Sequence, residues 1–335
     1  MFTNVLRRRL LVLSASLILC LTIVFAVMPS LTPMHAQARE AHPFHVKVFI
    51  ITYFAVEAAS WLQNQEWPLT FTVRGADNPV RCNDKGECLT ITGVGKVNAA
   101  TSMMAILRDP QFSFGQSYFL TAGTSSTSPN RGTLGSTYWA HWVADWDQGF
   151  HLLPVTVPDI PFGYIAPSTA FPDETSVFQL NETLQRLAYR LTAHLKLKDS
   201  AAAIAERHLY PGQAKQHPSV VRCDTLAGDN LWAGHRQSQE AEYITKILTK
   251  GEGHNCTYEQ EDTAVAGALQ RTSHLDHYLN LRSPSAFDQP HPGQTVQEFI
   301  DAHFRANDIA AANLYKVGST VANYLLKHQT LSQAS

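Results

Sequence analysis

Apolar residues in this chain fall either into short continuous runs or into segments where they recur every three or four positions. Continuous runs bounded by glycine or polar residues are typical of buried strands, and the second spacing is typical of amphipathic helices. The predicted strands are VKVFII (46–51), ECLTITGVG (87–95), SYFLTAG (117–123), GSTYWAHWVA (135–144), VVRCDTLA (220–227), CTYE (256–259) and the short HYLNLRS (277–283). The predicted helices are AVEAASWL (55–62), KVNAATSMMAIL (96–107), NETLQRLAYRLTAHLK (181–196), EAEYITKILTK (240–250), a segment after Glu261, and DIAAANLYKVGSTVANYLLKH (308–328).

Strands that alternate with helices along most of the chain predict an α/β layered domain with a mixed, mostly parallel sheet flanked by helices. The proline-rich residues 151–175 form a long irregular connection, and no repeat or linker divides the rest, so we expect a single domain over 45–330. Ligands bind at the carboxyl ends of strands in such sheets. Polar or glycine-containing loops that predict a cleft follow the apolar strands around Phe54, Gly93, Gly123, Gly228, Glu259 and Ser285.

The first 38 residues have a different pattern. Three arginines at 7–9 precede an apolar run at 10–27, and an A-x-A triplet follows at 36–38. These are the n-region, h-region and cleavage site of a secretory signal peptide, so we expect an exported protein, periplasmic or secreted. The apolar run is long for a signal, which leaves an uncleaved N-terminal anchor as the alternative. No later apolar run in the sequence is long enough to cross a bilayer as a helix.

The overall composition argues against one class of partner. The 335 residues are 44% hydrophobic and 16% charged, and the formal net charge is -2. This is an ordinary globular composition, with enough length to bury a large core. A protein that binds nucleic acid needs a basic face to neutralise phosphates, and the near-neutral balance gives no sign of one. We therefore expect no nucleic-acid partner.

Four cysteines, at 82, 88, 223 and 256, lie outside the predicted signal. An even number of cysteines in an exported chain is typical of disulfides. CNDKGEC contains the Asp and Gly of a hairpin tip, which favours a Cys82–Cys88 bridge and leaves Cys223–Cys256 by elimination. Zinc is the alternative, but no second close cysteine pair lies nearby, and HLDH at 274–277 lacks the further ligands of a zinc set. We expect no metal site.

Three carboxylates crowd into the stretch CTYEQEDTAVAGAL, which begins at Cys256 and continues into small apolar residues. Glu259, Glu261 and Asp262 precede a segment suited to close packing, where an unpaired charge is costly. One interpretation is a functional site. The other is a solvated helix N-terminus, where acidic side chains meet the positive end of the helix dipole, and we favour it for Asp262.

Other candidate residues have a structural explanation as well as a functional one. In TGVGKVNAA, Gly93 and Gly95 let the backbone approach a ligand, and the helix beginning near Lys96 offers N–H groups to an anion. A tight strand-to-helix turn needs the same glycines, and the third glycine of a dinucleotide fingerprint is missing. Glu57 suits the first turn of a helix, and Asp229 suits an Asx turn. No G-x-S-x-G elbow of a serine hydrolase occurs.

Six motifs, taken in order, resemble the purine nucleoside permease family, which is similar to the nucleoside phosphorylase and methylthioadenosine nucleosidase superfamily. They are KVFIITYFAVEA (47–58), LTITGVGKVNAA (89–100), FLTAGTSSTSPNRGTLGS (119–136), LAGDNLWAG (226–234), YEQED (258–262) and LRSPSAFDQPHPG (281–293). The resemblance covers about residues 46–328 and implies a nucleoside phosphorylase-like three-layer fold. It implies a purine nucleoside as ligand and no cofactor, with phosphate open as a co-substrate and a homo-oligomer also open.

The resemblance also implies roles for individual residues. Glu259, Gln260 and Glu261 match an E-x-E element whose second glutamate holds both ribose hydroxyls, so Glu261 is the expected ribose ligand. Glu57 matches the glutamate that positions the attacking water in the nucleosidases. The other expected substrate-binding residues are Gly93, Gly95 and Thr124 on the anion or nucleophile side, and Asp229, Leu231 and Trp232 around the purine.

Two departures from the catalytic enzymes bear on turnover. In the last loop those enzymes carry an aspartate after the serine, where it protonates the purine; here Ala286 follows Ser285, and Asp288 is the candidate substitute. Thr121 stands where the bacterial phosphorylases carry a phosphate-binding arginine. Loss of a general acid typically costs about 10²–10⁴-fold in rate, so binding can survive where fast phosphorolysis does not.

We therefore expect an exported protein that recognises purine nucleosides during their uptake. It would deliver them to a separate membrane transporter, or cleave their N-glycosidic bond weakly so that the base is taken up. The alternative is a nucleoside-binding protein without turnover, which the residues at Ala286 and Thr121 favour. A structural domain with a decayed cleft is less consistent with the presence of Glu57 and Glu261.

Overall fold

The structure, a computed structural model, describes residues 42–167, 174–302 and 304–328. Its strands in chain order are β1 (Phe44–His45), β2 (Val48–Thr52), β3 (Leu69–Phe71), β4 (Val80–Cys82), β5 (Glu87–Ile91), β6 (Phe112–Ser113), β7 (Tyr118–Thr127), β8 (Thr137–Ala140), β9 (Trp142–Asp145), β10 (Phe150–His151), β11 (Tyr164–Ile165), β12 (Val177–Gln179), β13 (Val220–Arg222), β14 (Asp224–Ala227), β15 (Asn255–Glu259) and β16 (Tyr278–Phe287). Its helices are α1 (Ala55–Asn64), α2 (Lys96–Leu107), α3 (Glu182–Thr192), α4 (Ala201–His208), α5 (His235–Leu248), α6 (Asp262–Arg271), α7 (Val296–Asp301) and α8 (Asn307–His328).

Twelve of the strands form one mixed sheet. Its main path runs β12-β9-β14-β15-β7-β2-β5-β4-β3, and β16 joins β7 to β8, which in turn pairs with β13. The pairs β2–β5, β2–β7, β7–β16 and β14–β15 are parallel, whereas β12 at one edge and β3–β4 at the other are antiparallel. Parallel neighbours bring their carboxyl ends to the same edge of the sheet, and this edge carries the candidate site.

Alternating side chains of the central strands divide the core into two apolar layers. In β2, Phe49 and Ile51 belong to a cluster with residues of α2 and α6, whereas Val48 and Ile50 belong to a second cluster with residues of α1, α3 and α8. Successive side chains of a strand point to opposite faces of the sheet, so a strand buried on both faces is apolar throughout. The predicted arrangement of a mixed sheet between two helical layers is confirmed.

Most predicted elements are confirmed, but two segments predicted as single strands, 135–144 and 220–227, are each divided into two strands. Residues 135–144 form two strands, β8 and β9, which separate at His141. The Asp224 carboxylate accepts hydrogen bonds from the backbone N–H groups of His141 (3.0 Å) and Trp142 (2.8 Å) and so fixes the break. The two halves then pair with different neighbours, β8 with β16 and β9 with β14. A continuous run of apolar residues does not reveal such a change of partner.

Some elements are longer than the sequence predicted, and others were missed. The segment predicted as a short strand at 277–283 extends to Phe287 as β16, and the connection at 151–175 contains the small β10–β11 pair. Helices α4 and α7 were not predicted. The signal predicted at 1–38 lies outside the described residues, and the described residues from Pro43 to His328 form one compact unit.

Both expected disulfides are present. Cys82 is bonded to Cys88, at the turn that joins β4 to β5, and Cys223 is bonded to Cys256, which ties the start of β14 to β15. These bonds consume the thiols that a zinc site would need, and they fit an extracellular protein. Within the described ranges, no helix combines the length and hydropathy of a membrane span.

Two helical glycines predict opposite effects of the same substitution. A Cβ atom on Gly318 in α8 would lie 2.9 Å from Cζ2 of the buried Trp61, whereas one on Gly267 in α6 would meet its nearest atom, Cζ of Phe178, at 3.7 Å. Alanine favours a helix over glycine by about 1 kcal/mol. Gly267→Ala should therefore raise the free energy of unfolding by about 1 kcal/mol, and Gly318→Ala should lower it by about 1–3 kcal/mol through overpacking. Urea unfolding of the two variants measures both effects; equal shifts would contradict the packing of α8 on Trp61.

Candidate functional site

The carboxyl ends of the central strands surround one open cleft of about 380 Å³. All six loops that the sequence singled out contribute to its wall. The lining residues are Phe54, Glu57, Val94, Thr124, Ser125, Ser126, Leu231, Tyr258, Glu259, Gln260, Glu261, Ser285, Phe304 and Asn307. The polar members lie on the floor, and exposed apolar side chains such as Leu231 and Phe304 lie at the rim.

A buried arginine beneath this floor explains why the carboxylates of Glu259, Glu261 and Asp262 lie close together in the sequence. The guanidinium of Arg282, on β16, donates from Nη2 to Glu259 (2.9 Å), Glu261 (3.1 Å) and Asp262 (2.6 Å). Its Nε donates to Asp262 as well (2.8 Å), and its Nη1 donates to the carbonyl oxygen of Thr124 (2.8 Å). The guanidinium carbon lies 4.5 Å from the centre of the Tyr53 ring, a cation–π contact. The Nε and Nη2 groups of this side chain are thus directed at carboxylates, and Nη1 is directed at a carbonyl oxygen.

Sequence reasoning missed Arg282, although the chain contains a clue to it. In YLNLRSPS the arginine interrupts an apolar strand, and a charged side chain within such a strand needs a buried partner of opposite charge. The acidic cluster at 259–262 provides that partner. Because α6 separates β15 from β16 along the chain, only the fold brings the two halves of the charge pair together.

Glu259 and Asp262 both have structural roles. Glu259 accepts hydrogen bonds from the backbone N–H groups of Glu261 (2.6 Å) and Asp262 (2.9 Å), so it caps the N-terminus of α6 from inside the protein. Asp262 is fully buried and accepts a hydrogen bond from the Tyr53 hydroxyl (2.7 Å) in addition to those from Arg282. The interpretation of Asp262 as a solvated helix N-terminus is therefore wrong. Burial, reinforced by Asp262, raises the pKa of Glu259 well above its ordinary value.

Glu261 is held at the floor of the cleft. One carboxylate oxygen accepts a hydrogen bond from the backbone N–H of Gly95 (3.1 Å) and the other from Arg282 (3.1 Å). Only 4% of the residue is exposed, and it lines the cleft. Burial raises its pKa, while Arg282 and the Gly95 bond act in the opposite direction. A carboxylate oxygen can accept two hydrogen bonds, so each oxygen keeps one acceptor position for a ligand.

Glu57 lies on the first turn of α1, buried, on the same floor. Its Oε1 accepts from the backbone N–H (2.6 Å) and the hydroxyl (3.0 Å) of Thr124, and its Oε2 accepts from the backbone N–H of Tyr53 (2.7 Å). Burial raises its pKa to about 7, against the opposing effect of Arg282 and with a contribution from the Glu261 charge. A carboxyl group that titrates near neutrality can act as a general base.

The glycine turn at 93–95 connects the floor to helix α2. Gly93 and Gly95 have φ values of 84° and 89°, which only glycine adopts readily. The N–H of Gly95 donates to Glu261, and the N–H of Lys96, the first residue of α2, donates to the Asp229 carboxylate (3.0 Å). The Lys96 ammonium binds the buried Asp145 (2.9 Å) and Asp147 (2.5 Å). The turn and Lys96 thus contact four acidic side chains of the protein itself.

The expected base-binding residues occupy different depths. Leu231 is 73% exposed at the rim of the cleft, and Gln260 lines the cleft while donating to the carbonyl oxygen of Asp229 (3.1 Å). Trp232 lies behind the wall, with its ring centre 3.6 Å from that of Tyr258, which faces the cleft. Tyr258 is a further lining residue that sequence reasoning did not single out.

Asp288, the candidate acid, lies behind Trp232 and is not among the residues that line the cleft. Its Oδ2 accepts from the Ser238 hydroxyl (2.6 Å) and from the Trp232 indole N–H (3.3 Å). Burial raises its pKa to about 6. It therefore reaches the cleft through Trp232 and Tyr258.

Ala286 and Thr121, the two residues that depart from the catalytic enzymes, lie in different parts of the structure. Ala286 pairs with Ser126 in the parallel β7–β16 ladder, next to the lining residue Ser285. Thr121 is fully buried in β7, and its hydroxyl contacts Tyr278 (3.1 Å) and Asn280 (3.1 Å), so it lies away from the cleft. Among the described residues, no group of three or more His, Cys, Asp or Glu is arranged to hold a metal.

Replacing Arg282 by lysine should lower the free energy of unfolding by about 3 kcal/mol, because an ammonium cannot reproduce the planar fork and leaves buried carboxylates short of a partner. Arg222→Lys is the matched control. Arg222, on β13, is exposed, pairs with Glu182 and donates to the Gln185 side chain (2.7 Å), so its replacement should cost about 1 kcal/mol. Urea unfolding of both variants measures the costs. Equal losses would contradict the central role of the Arg282 guanidinium.

The raised pKa of Glu57 predicts a pH dependence of stability. The folded chain keeps this proton up to a pKa of about 7, whereas the unfolded chain releases it near the ordinary value of 4.5, so folding loses stability as pH rises between the two values. Stability relative to Glu57→Gln should therefore fall by about 3 kcal/mol between pH 4.5 and pH 7. Denaturant unfolding across this range measures the difference. The exposed Glu66→Gln serves as control, and parallel curves for wild type and Glu57→Gln would disprove the pKa shift.

Comparison with solved structures identifies the fold. The futalosine hydrolase of Helicobacter pylori superposes with a TM-score of 0.56 at 15% identity, covering 83% of this chain and 98% of that one. The 5'-methylthioadenosine/S-adenosylhomocysteine nucleosidase of the same organism, solved with butyl-thio-DADMe-Immucillin-A, gives 0.56 at 16% identity and covers 84% and 99%. At this identity the likeness shows the fold alone, and it confirms the expected nucleoside phosphorylase-like architecture.

Sequence comparison identifies the family. The probable purine nucleoside permease C285.05 of Schizosaccharomyces pombe is 30% identical over 345 residues, covering 92% of this chain and 98% of the relative. A purine nucleoside permease of Candida albicans is 29% identical over 297 residues, covering 81% of this chain and 73% of the relative. The model of the family described as Purine nucleoside permease (NUP) matches residues 45–332. The chain therefore belongs to the purine nucleoside permease family.

Proposed function

We propose that the cleft binds a purine nucleoside and that this exported protein acts in nucleoside uptake. The observation that carries the proposal is the position of Glu261, a buried carboxylate at the cleft floor with acceptor positions left on both oxygens. The names of the relatives support uptake, because two of them are described as purine nucleoside permeases.

The ribose is the part of the ligand that the floor suits best. Two neighbouring hydroxyl groups donate in parallel, and a carboxylate offers two parallel acceptors. Gly95 and Arg282 hold the Glu261 carboxylate in one orientation before a ligand arrives, so little side-chain entropy is lost on binding. Hydrogen bonds to a charged group contribute about 1.5–3 kcal/mol each, enough to make ribose recognition a main source of affinity.

The base fits the apolar part of the cleft. Phe54, Tyr258, Leu231 and Phe304 supply aromatic and aliphatic surface around the floor, and Gln260 supplies an amide. The volume of about 380 Å³ falls within the range of small-molecule sites, about 300–1,000 Å³. Trp232 and Asp229 support this wall from behind. The Trp232 ring lies against Tyr258, and the Asp229 carbonyl oxygen accepts from Gln260.

Export follows from the signal pattern at 1–38 and agrees with the two disulfides. An exported domain of this fold does not itself conduct a solute, so uptake requires a separate membrane transporter that receives the nucleoside or its base.

Hydrolysis of the N-glycosidic bond is a second candidate function, which Glu57 favours. Its carboxyl group lines the cleft with Glu261 and titrates near pH 7, so it can take a proton from an attacking water. Cleavage passes through a cationic sugar, which nearby carboxylates stabilise. The acid that would protonate the leaving base is missing from the cleft wall, since Ala286 replaces it and Asp288 lies behind Trp232. Any turnover is therefore expected to be slow.

Calorimetry with adenosine and 2′-deoxyadenosine tests the proposal. The wild-type protein should bind adenosine at least about tenfold more tightly, because the deoxynucleoside lacks one donor to Glu261 and tenfold corresponds to about 1.4 kcal/mol. In Glu261→Gln, adenosine binding should weaken by about 10- to 100-fold and the preference for ribose should shrink. The same samples are assayed for free adenine, and its appearance identifies a hydrolase rather than a binding protein.

Glu66→Gln is the matched control for this experiment, since it removes one carboxylate at an exposed position away from the cleft. It should bind both nucleosides as the wild type does. Absence of heat with every nucleoside tested would reject the proposal. Unchanged affinity for adenosine in Glu261→Gln would show that Glu261 does not bind the ribose.

A further inference from the structure

We infer that this cleft excludes inorganic phosphate, with Asp229 as the residue that decides it, so that water is the only nucleophile available to a bound nucleoside. The inference deepens the proposed function and rests on the same cleft. It follows from the hydrogen-bond partners of the backbone N–H groups around the floor. These N–H groups could bind an anion, but acidic side chains of the chain itself already accept their hydrogen bonds.

The glycine turn and the start of α2 provide the donors that could hold an anion. Helix N-termini bind anions through free N–H groups and the positive end of the dipole. Here the Gly95 N–H donates to Glu261 (3.1 Å) and the Lys96 N–H donates to Asp229 (3.0 Å). A Cβ atom on Gly95 would lie 3.3 Å from Asp229 Oδ1, which shows how closely this carboxylate approaches the turn. Two carboxylates therefore take the place of a phosphate.

On the opposite wall, hydrogen-bond donors are likewise bound to a carboxylate of the chain itself. The Thr124 N–H and hydroxyl are two of the donors that β7 brings to the floor, and both are bound to Glu57 Oε1, at 2.6 and 3.0 Å. The Tyr53 N–H is bound to the other oxygen of the same carboxylate. A phosphate would have to displace Glu57 from three donors in a buried site, where an unpaired carboxylate is costly.

The nearby cations are already neutralised. Arg282 directs its donors at Glu259, Glu261 and Asp262, and 1% of its side chain is exposed. Lys96 is bound by Asp145 and Asp147. An incoming anion would meet an excess of carboxylates, and like charges at short range in a poorly solvated site repel strongly. Among the described residues, phosphate therefore finds no unpaired positive charge at the floor, and the N–H groups of Gly95, Lys96 and Thr124 are already bound by carboxylates. The Ser125 hydroxyl lines the cleft without a partner and is a neutral donor.

The inference fixes the chemistry of any cleavage in this cleft. The bond between C1′ and the base nitrogen breaks with its electron pair going to the base. The oxygen of water forms the new bond to C1′, one of its protons goes to the base, and ribose and free base are the products. Ribose 1-phosphate is not formed.

Equilibrium dialysis with radiolabelled inorganic phosphate tests this directly, in the absence of nucleoside. The wild type should show no saturable binding at millimolar phosphate. Asp229→Ala frees the Lys96 N–H and removes one negative charge, so it should bind phosphate at least about tenfold more tightly than the wild type, and Asp229→Ala with Glu261→Gln should bind more tightly still. Asp84→Ala, at the exposed tip of the β4–β5 hairpin, removes the same charge away from the cleft and should behave as the wild type.

Saturable phosphate binding by the wild type would overturn the inference. It would also be overturned if neither cleft variant gained phosphate binding, because the carboxylates would then not be what excludes the anion. Thermal unfolding verifies that each variant is folded. Because the assay contains no nucleoside, its outcome is independent of the calorimetric test of nucleoside binding, and the two proposals can fail separately.

Discussion

The cleft depends on one buried interaction, the contact of the Arg282 guanidinium with three acidic side chains. Its partners lie at the end of β15 and the start of α6, on β7 through the Thr124 carbonyl oxygen, and after β2 through the Tyr53 ring. Without this positive charge, Glu259, Glu261 and Asp262 would face one another in a poorly solvated space. Removing one partner of a buried ion pair typically costs about 3–5 kcal/mol, so the strand ends and the charge cluster hold one another in place.

Close packing lets this charge lie inside the sheet. A Cβ atom on Gly123 would lie 2.7 Å from the Tyr53 ring and would collide with the guanidinium, so the absence of a side chain in the middle of β7 makes room for both groups. The consequence is electrostatic as well as steric. Burial raises the pKa of Glu57 to about 7 and that of Glu261 above its ordinary value, so the floor holds carboxyl groups that respond to a ligand or to a neighbouring charge.

The chain belongs to the purine nucleoside permease family and has a nucleosidase-like fold. The residues of its cleft suit the proposed binding of a sugar. Glu57 and Glu261 lie on the floor, whereas the positions that would serve the leaving base differ, with Ala286 next to the lining residue Ser285 and Asp288 behind Trp232. The proposed recognition of a nucleoside with weak or absent turnover agrees with this arrangement. A protein that hands a solute to a transporter needs the first property and not the second.

Local patterns alone determined the elements and their layering, since apolar runs and helical spacing reflect burial of each segment, and the hairpin tip identified the Cys82–Cys88 bridge. They also placed Glu57 on the first turn of the helix after β2 and the Gly93 turn at the end of β5, and the family motifs pointed to Glu261. Tertiary structure decided which charges meet. Arg282 and the acidic cluster lie in separate segments, so neither the burial of Asp262 nor the carboxylates on the Gly95 and Lys96 N–H groups was visible from the sequence. Secondary structure follows from neighbours along the chain, whereas the energy of a buried charge depends on neighbours in space.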